Sequence, residues 1–224
     1  MCGRFGLWAT PKQVADHFQL QEPLPFTPRY NIAPSQEILA VGQTREGKRK
    51  EAWLRWGLVP HWAKDEKVGY KMINARAETI FTKPAYKAPA KRHRCLIPAS
   101  CFFEWKKTGE KKKQPNCIRP KNEGLFVFAG LWEHWEDQEA GQKIDSCTIV
   151  TTQANEAVAA LHDRMPVIIG EADFDLWLDR SVEDPEQLQP LLEPISSQEL
   201  EIYPVGLEVN SPGNDSEEVI RKVG

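Results

Sequence analysis

Hydrophobic and polar positions alternate through the middle of this chain, and that period of two predicts strands. Ile38–Val41 and Ala52–Trp56 flank the turn-rich stretch TREGKRK and read as a hairpin. Residues 95–98 and 101–106 read as two more strands, the second joined through KKTGEKKKQ to Asn116–Arg119 as another hairpin. Residues 125–130 and 146–152 add apolar runs of strand length, and 199–205 a last strand. Elsewhere the spacing is helical. Thr10-Pro11 is an N-cap followed by proline at the first helical position, and Val14 and Phe18 give that short helix one apolar face. Residues 73–80 (INARAETI) predict a second short helix, and 155–162 (NEAVAALH) a third that ends at His162. Two more are predicted near 171–179 and 184–192, with Pro166–Ile169 extended before them. Four prolines within 21–35 hold that segment extended or looped, and a loop is expected over 57–62. Hairpin-joined strands with helices at both ends argue for an α+β fold around a strongly curved, mainly antiparallel sheet.

The 224 residues carry no Pro/Gly/Ser linker, so one domain is expected, with its core over about 2–205 and a polar tail over 206–224. Runs such as LFVFAGLW (125–132) and TIVTT (148–152) are far too short to cross a membrane. The opening MCGRFGLWATPK is not a secretory signal, which points to the cytoplasm, or the nucleus of a eukaryote. Five cysteines (Cys2, Cys95, Cys101, Cys117, Cys147) make an odd set in a chain without an export signal and are read as reduced thiols. Without Cys-x-x-Cys or His-Glu-x-x-His, and with histidines scattered singly, no metal site is expected.

Charge changes the picture more. The net charge of −3 conceals a split: residues 1–120 hold 23 Lys and Arg against 10 Asp and Glu, and 121–224 hold 6 against 22. Lys87, Lys91, Arg92, Arg94, Lys106, Lys107 and Lys111–Lys113 fall in the basic half with most of the tryptophans. Cations interleaved with aromatics suit a single-stranded nucleic acid, whose phosphates need charge and whose bases need faces to stack on. The same runs also read as solvated turns and helix faces.

Cys2 is the first candidate for chemistry. With Met1 removed it carries an α-amine and a thiol on adjacent carbons, titrating near ~7.7–8.0 and ~8.5 in model compounds. Such a 1,2-aminothiol captures an aldehyde as an imine and closes on it as a thiazolidine. Glu104, in CFFEWKK, shares a strand face with Phe102, while Phe103 and Trp105 take the other. It is a candidate general acid or base if buried, and an ordinary surface glutamate if not. His162 suits proton transfer at neutral pH or, more simply, the cap of a helix. Asn74 can hold an amine without titrating, or cap a helix, and Arg76 can fork onto a phosphate.

Taken in order, Cys2-Gly3-Arg4-Phe5, RYNIAP (29–34), WGLVP.W (56–62), INARAET (73–79), CFFEW (101–105) and LHDRMP (161–166) resemble the SOS response-associated peptidase (SRAP) family. That family includes the abasic-site-processing proteins that crosslink to damaged DNA. The resemblance runs from residue 2 to about 205 and implies a single domain with a curved, barrel-like β-core and a positively charged cleft. It implies loss of Met1, and a thiazolidine between Cys2 and the opened aldehyde of an abasic site in single-stranded DNA. By the same resemblance Asn74 positions the amine, Glu104 is its acid/base, and His162 opens the sugar and resolves the crosslink. Arg4, Arg76 and Arg164 look like phosphate contacts, and Pro34, Trp62 and Trp105 like platforms for bases or backbone. A monomer with no metal or organic cofactor is expected. Two other readings stand beside this one: a peptidase or amidase using Cys2 on external peptides, and a non-enzymatic binder of nucleic acid through its basic groove.

Overall fold

The longest alternating stretches become the longest strands. The computed structural model describes residues 2–21, 23–106 and 113–223. The first half of the chain forms β1 (Phe5–Leu7), α1 (Pro11–Phe18), β2 (Arg29–Ile32), β3 (Glu37–Gln43), β4 (Arg49–Trp56), β5 (Asn74–Arg76) and α2 (Pro84–Arg92). Next come β6 (Arg94–Ala99), β7 (Cys101–Lys106), β8 (Gln114–Pro120), β9 (Phe126–Glu136) and β10 (Lys143–Gln153). After these lie α3 (Glu156–Ala159), β11 (Arg164–Pro166), α4 (Phe174–Leu178), α5 (Pro185–Leu188) and β12 (Leu200–Pro204).

Strands β4, β3, β6, β9 and β10 pair in that order, and β10 pairs back with β4, which closes a five-stranded barrel. Strands β5 and β11 add to β10. A second sheet runs β12–β8–β7–β1–β2. The α+β class and the curved, mainly antiparallel core hold. Alternation explains how the second sheet is covered. Phe102 and Ile118 face the barrel core, while Cys101, Phe103 and Cys117 face the other way into a smaller cluster. Phe5 locks the two layers together, its ring 5.2 Å from Trp56 and 5.9 Å from Phe128, edge to face with both.

Helix α1 forms as the capping signal predicts: Thr10 accepts from the Gln13 N–H at 3.2 Å and donates its own backbone N–H to Gln13 Oε1 at 2.8 Å. The β3–β4 hairpin falls where the alternation puts it, while β9 and β10 run beyond their apolar cores to meet as a hairpin of their own. The turn of the β7–β8 hairpin lies at 107–112, outside the described residues.

Three expectations change. Residues 73–80 are not a helix: β5 pairs in parallel with Ile149–Thr151 of β10, and a 3-10 turn follows over Ala77–Thr79. A strand of three residues draws its stability from a distant partner, which local spacing does not reveal. Helix α3 is a single turn, although the His162 N–H still reaches the Val158 carbonyl at 3.0 Å. The polar tail is docked: Val209 and Val219 are buried in the smaller cluster with Tyr203 and Val205. Asp215 there accepts the N–H groups of Tyr30 and Asn31 at 2.5 and 2.9 Å. Among the described residues no helix is long and apolar enough to cross a membrane.

An excursion over residues 57–73 leaves the barrel after β4 and returns to it at β5. Its two ends are pinned. Trp56 Nε1 donates to the Ile73 carbonyl at 2.8 Å, and Leu58 N–H to that of Met72 at 3.1 Å. Gly57, at φ +133°, lies so near Gly69 that a Cβ on Gly57 would sit 2.7 Å from the Gly69 carbonyl oxygen. Only glycine adopts that backbone without strain. Gly57→Ala is expected to cost about 2 kcal/mol or more of stability, read as a lower urea midpoint with an unchanged slope.

Candidate functional site

Strand β1 is inserted between β2 and β7, with Phe5 opposite Ile32 on one side and Phe102 on the other. Pairing on both edges draws the chain terminus inward. Cys2 is fully buried, its Sγ 3.9 Å from the Arg4 carbonyl. Its own carbonyl accepts a hydrogen bond from Asn74 Nδ2 at 2.8 Å. Asn74 can reach it because β5 lies along β10 and not in a helix, and the Tyr86 hydroxyl of α2 braces the Asn74 carbonyl at 3.3 Å. Asn74 Oδ1 is buried and accepts from no group among the described residues. That leaves an acceptor beside Cys2.

Glu104 stands on β7 with 4% of its surface exposed, which decides between the two readings of its position. Burial raises its pKa to about 7, against the positive charge of the chain's amino terminus, and Asp163 adds to the rise. Burial, and then the nearby negative charge of Glu104, push the Cys2 thiol well above its ordinary value. Glu104 acting on Cys2, and Asp163 on Glu104, mark Cys2, Glu104 and the loop after α3 as one electrostatic neighbourhood.

His162 opens that loop. Its Nδ1 lies 3.0 Å from the Arg164 backbone N–H and 2.7 Å from Asp163 Oδ1. A neutral imidazole accepts the first at Nδ1 and keeps its proton on Nε2, whereas a charged one donates to the second. The contact therefore changes character with the proton.

The residues expected to meet DNA are placed unevenly. Arg76 is exposed at the end of β5, two positions from Asn74 and so on the same face, with no ion-pair partner among the described residues. Trp62, 57% exposed, tips the excursion, and Pro34 is half-buried in the turn between β2 and β3. Trp105, half-buried beside Glu104, donates its Nε1–H to Asn210 Oδ1 at 2.7 Å. The other two arginines have internal partners. Arg4 Nη1 donates to Asn31 Oδ1 at 2.8 Å and to the Val209 carbonyl at 2.6 Å. Arg164 forks onto both oxygens of Glu78 and reaches the Thr151 carbonyl, holding the Glu78 carboxyl below its usual range. A phosphate at either must compete with these groups. The basic runs are also partly spent: Lys91 and Arg92 pair with Glu183, and Arg94 is buried against the carbonyls of Trp177, Ala90, Lys91 and Asp179.

Asn31, Asp163 and Asn210 border the site and escape a reading of single residues. Asn31 had a signal, a lone amide in RYNIAP on a strand that is otherwise half apolar. Asn210 had none, since a polar residue in a polar tail looks like any other.

Comparison with known proteins identifies the family. The model of the SOS response associated peptidase (SRAP) family matches residues 1–212. The abasic site processing protein YoqW of Bacillus subtilis (strain 168) is 46% identical over 98% of this chain and 99% of its own length. A second protein of that organism, the abasic site processing protein YoaM, is also 46% identical, over 98% and 97%. The abasic site processing protein HMCES of Gallus gallus is 31% identical over 75% of this chain and 56% of its own. A crystal structure from Bacteroides thetaiotaomicron superposes with a TM-score of 0.89 over 99% of this chain and 100% of that one, at 24% identity. A family match over residues 1–212 and near full-length relatives at this identity leave one conclusion: the chain belongs to the SOS response associated peptidase family.

Proposed function

We propose that this protein processes abasic sites in DNA by covalent capture, with Cys2 as nucleophile once Met1 has been removed, by the protein itself in the simplest case. The observation that carries the reading is the buried Cys2, hydrogen-bonded by Asn74 and coupled electrostatically to Glu104. Relatives named for abasic site processing, 46% identical over almost their whole length, support the substrate class.

An abasic deoxyribose is mostly a closed hemiacetal. Opening it moves a proton from the anomeric hydroxyl to the ring oxygen, and His162 is the relay: the imidazolium gives its proton to the ring oxygen and the neutral ring takes back that of the hydroxyl. The Cys2 amine then adds to the aldehyde carbon, and Glu104 takes the ammonium proton and returns it to the departing hydroxyl. Water leaves and an imine forms. The thiol adds across C=N, sulfur to carbon and proton to nitrogen, closing a thiazolidine with loss of one water and no change of oxidation state. The thiol, kept protonated by burial, enters this step as S–H.

Around that centre, Arg76 takes a phosphate and Trp62, Trp105 and Pro34 give stacking or backbone surfaces to a single strand. Arg4 and Arg164 contribute where the strand competes with their internal partners. In this reading the protein acts as a monomer on DNA, in the cytoplasm or nucleus, without a cofactor.

Mature protein mixed with single-stranded DNA bearing one abasic site is expected to give a heat-stable shifted band that Cys2→Ala abolishes. Equal crosslinking by Cys2→Ala would sink the reading, and turnover of peptides without affinity for DNA would favour an external peptidase. The capture rate is expected to rise with pH through an apparent pKa near 7, as Glu104 becomes the base, and to lose that step in Glu104→Gln. Stability runs the other way. A carboxyl whose pKa is raised by folding contributes fully below its unfolded value near 4.5, and the contribution is lost as pH climbs through about 7. The melting temperature of Glu104→Gln should therefore gain on wild type across that window. Arg76→Ala is expected to weaken binding several-fold and to lower the slope of log K against log salt by about 0.7; an unaltered slope excludes a phosphate contact there.

A further inference from the structure

We propose that the C-terminal turn over residues 207–215 is a positioning element of the site, acting on Cys2 through Asn31 and Arg4 and on the Glu104 strand through Trp105. The proposal rests on the reading of Cys2 as nucleophile and extends it to a segment that runs past residue 212, where the family match ends.

Asn31 is the hub. It is fully buried on β2, and every polar atom of its side chain is used. Its Nδ2 donates to the carbonyls of Val209, Ser211 and Asn214 at 3.3, 2.9 and 2.7 Å. Its Oδ1 accepts from Arg4 Nη1, which also reaches the Val209 carbonyl. Asp215 closes the turn, accepting the backbone N–H groups of Tyr30 and Asn31 and the Arg29 guanidinium. A buried amide read by three carbonyls of one turn has a single geometry, because any shift strands a donor in apolar surroundings.

Two chain segments inherit that geometry. Arg4 lies two residues from Cys2, and its backbone carbonyl receives both the Cys2 Sγ–H and the Phe103 N–H, at 3.9 and 2.9 Å. The turn thus holds the guanidinium of the residue whose carbonyl ties Cys2 to β7. On β7 itself, Trp105 follows Glu104 and is held by Asn210 of the same turn. Cys2 and Glu104 are each one or two residues from an anchor in a single rigid loop. Their separation is fixed by it, and capture of an aldehyde is sensitive to displacement of about 1 Å.

The test uses mature, full-length Asp215→Ala. It compares the single-turnover crosslinking rate at saturating abasic DNA, the Kd for an intact strand of equal length, and amide hydrogen exchange over residues 3–6. The rate is expected to fall roughly tenfold while Kd moves by less than about twofold and exchange accelerates. Asp215→Asn, which keeps an acceptor for the backbone amides, is expected to recover most of the rate. An unchanged rate, or rate and affinity falling by one factor, overturns the proposal. Should Asp215→Ala not fold, Asn210→Leu at an exposed position replaces it. Asn210→Asp, still able to accept from Trp105, is then the control, and equal rates for the two overturn the proposal. If wild type forms no crosslink, the functional reading fails instead, and the exchange measurement alone decides the coupling.

Discussion

One hydrogen bond, from the Asn74 amide to the Cys2 carbonyl, joins parts of the chain 72 residues apart. Chain termini ordinarily fray, because their last residues lack pairing on both sides and gain little by ordering. Here β1 is paired along both edges and Phe5 is buried among Trp56 and Phe128, so the ordering entropy is offset by apolar burial. What remains is to fix the residues ahead of the strand, and that falls to Asn74. Its own place depends on β10, a strand 75 residues further along at the point of contact, where Asn74 pairs with Ile149.

Burial has an electrostatic consequence that no motif expresses. Removing Glu104 and Cys2 from water raises both pKa values, but with opposite effects on readiness. The carboxyl arrives near neutrality, where it can both take and return a proton. The thiol is driven away from its anion and kept as S–H. In the function proposed above an amine attacks first and sulfur second, and desolvation of this kind suits that order better than it suits a standing thiolate.

Much of this was legible beforehand, for reasons that can be named. Helix α1 carries its start signal in Thr10, Pro11 and Gln13, and the β3–β4 hairpin carries its own in alternation about a turn, both local. Glu104 was legible as a candidate and undecided as a fact, since a strand pattern assigns it a face without saying what covers that face. Asn74 was named as a neighbour of Cys2 but on the wrong element, because parallel pairing with β10 outweighs the helical look of INARAET. Arg4 and Arg164 were legible as cations only. Whether a guanidinium meets solvent or a carbonyl depends on partners as remote as Val209 and Glu78. The docked tail was the least legible, since two valines among charges give no period to read.

Strands β4 and β5 meet the same edge of β10 end to end, at Ser146–Cys147 and Ile149–Thr151. The barrel wall therefore has a seam, and the segment bearing Trp62 emerges through it. Trp56, Gly57, Gly69 and Ile73 staple the two lips together, and the segment between them is tied back to the wall, Val59 N–H to Ser146 Oγ at 2.8 Å and Trp135 Nε1–H to the Ala63 carbonyl at 2.7 Å. The exposed Trp62 is therefore carried on a braced arm, its height above the wall set by the strands on which that arm leans.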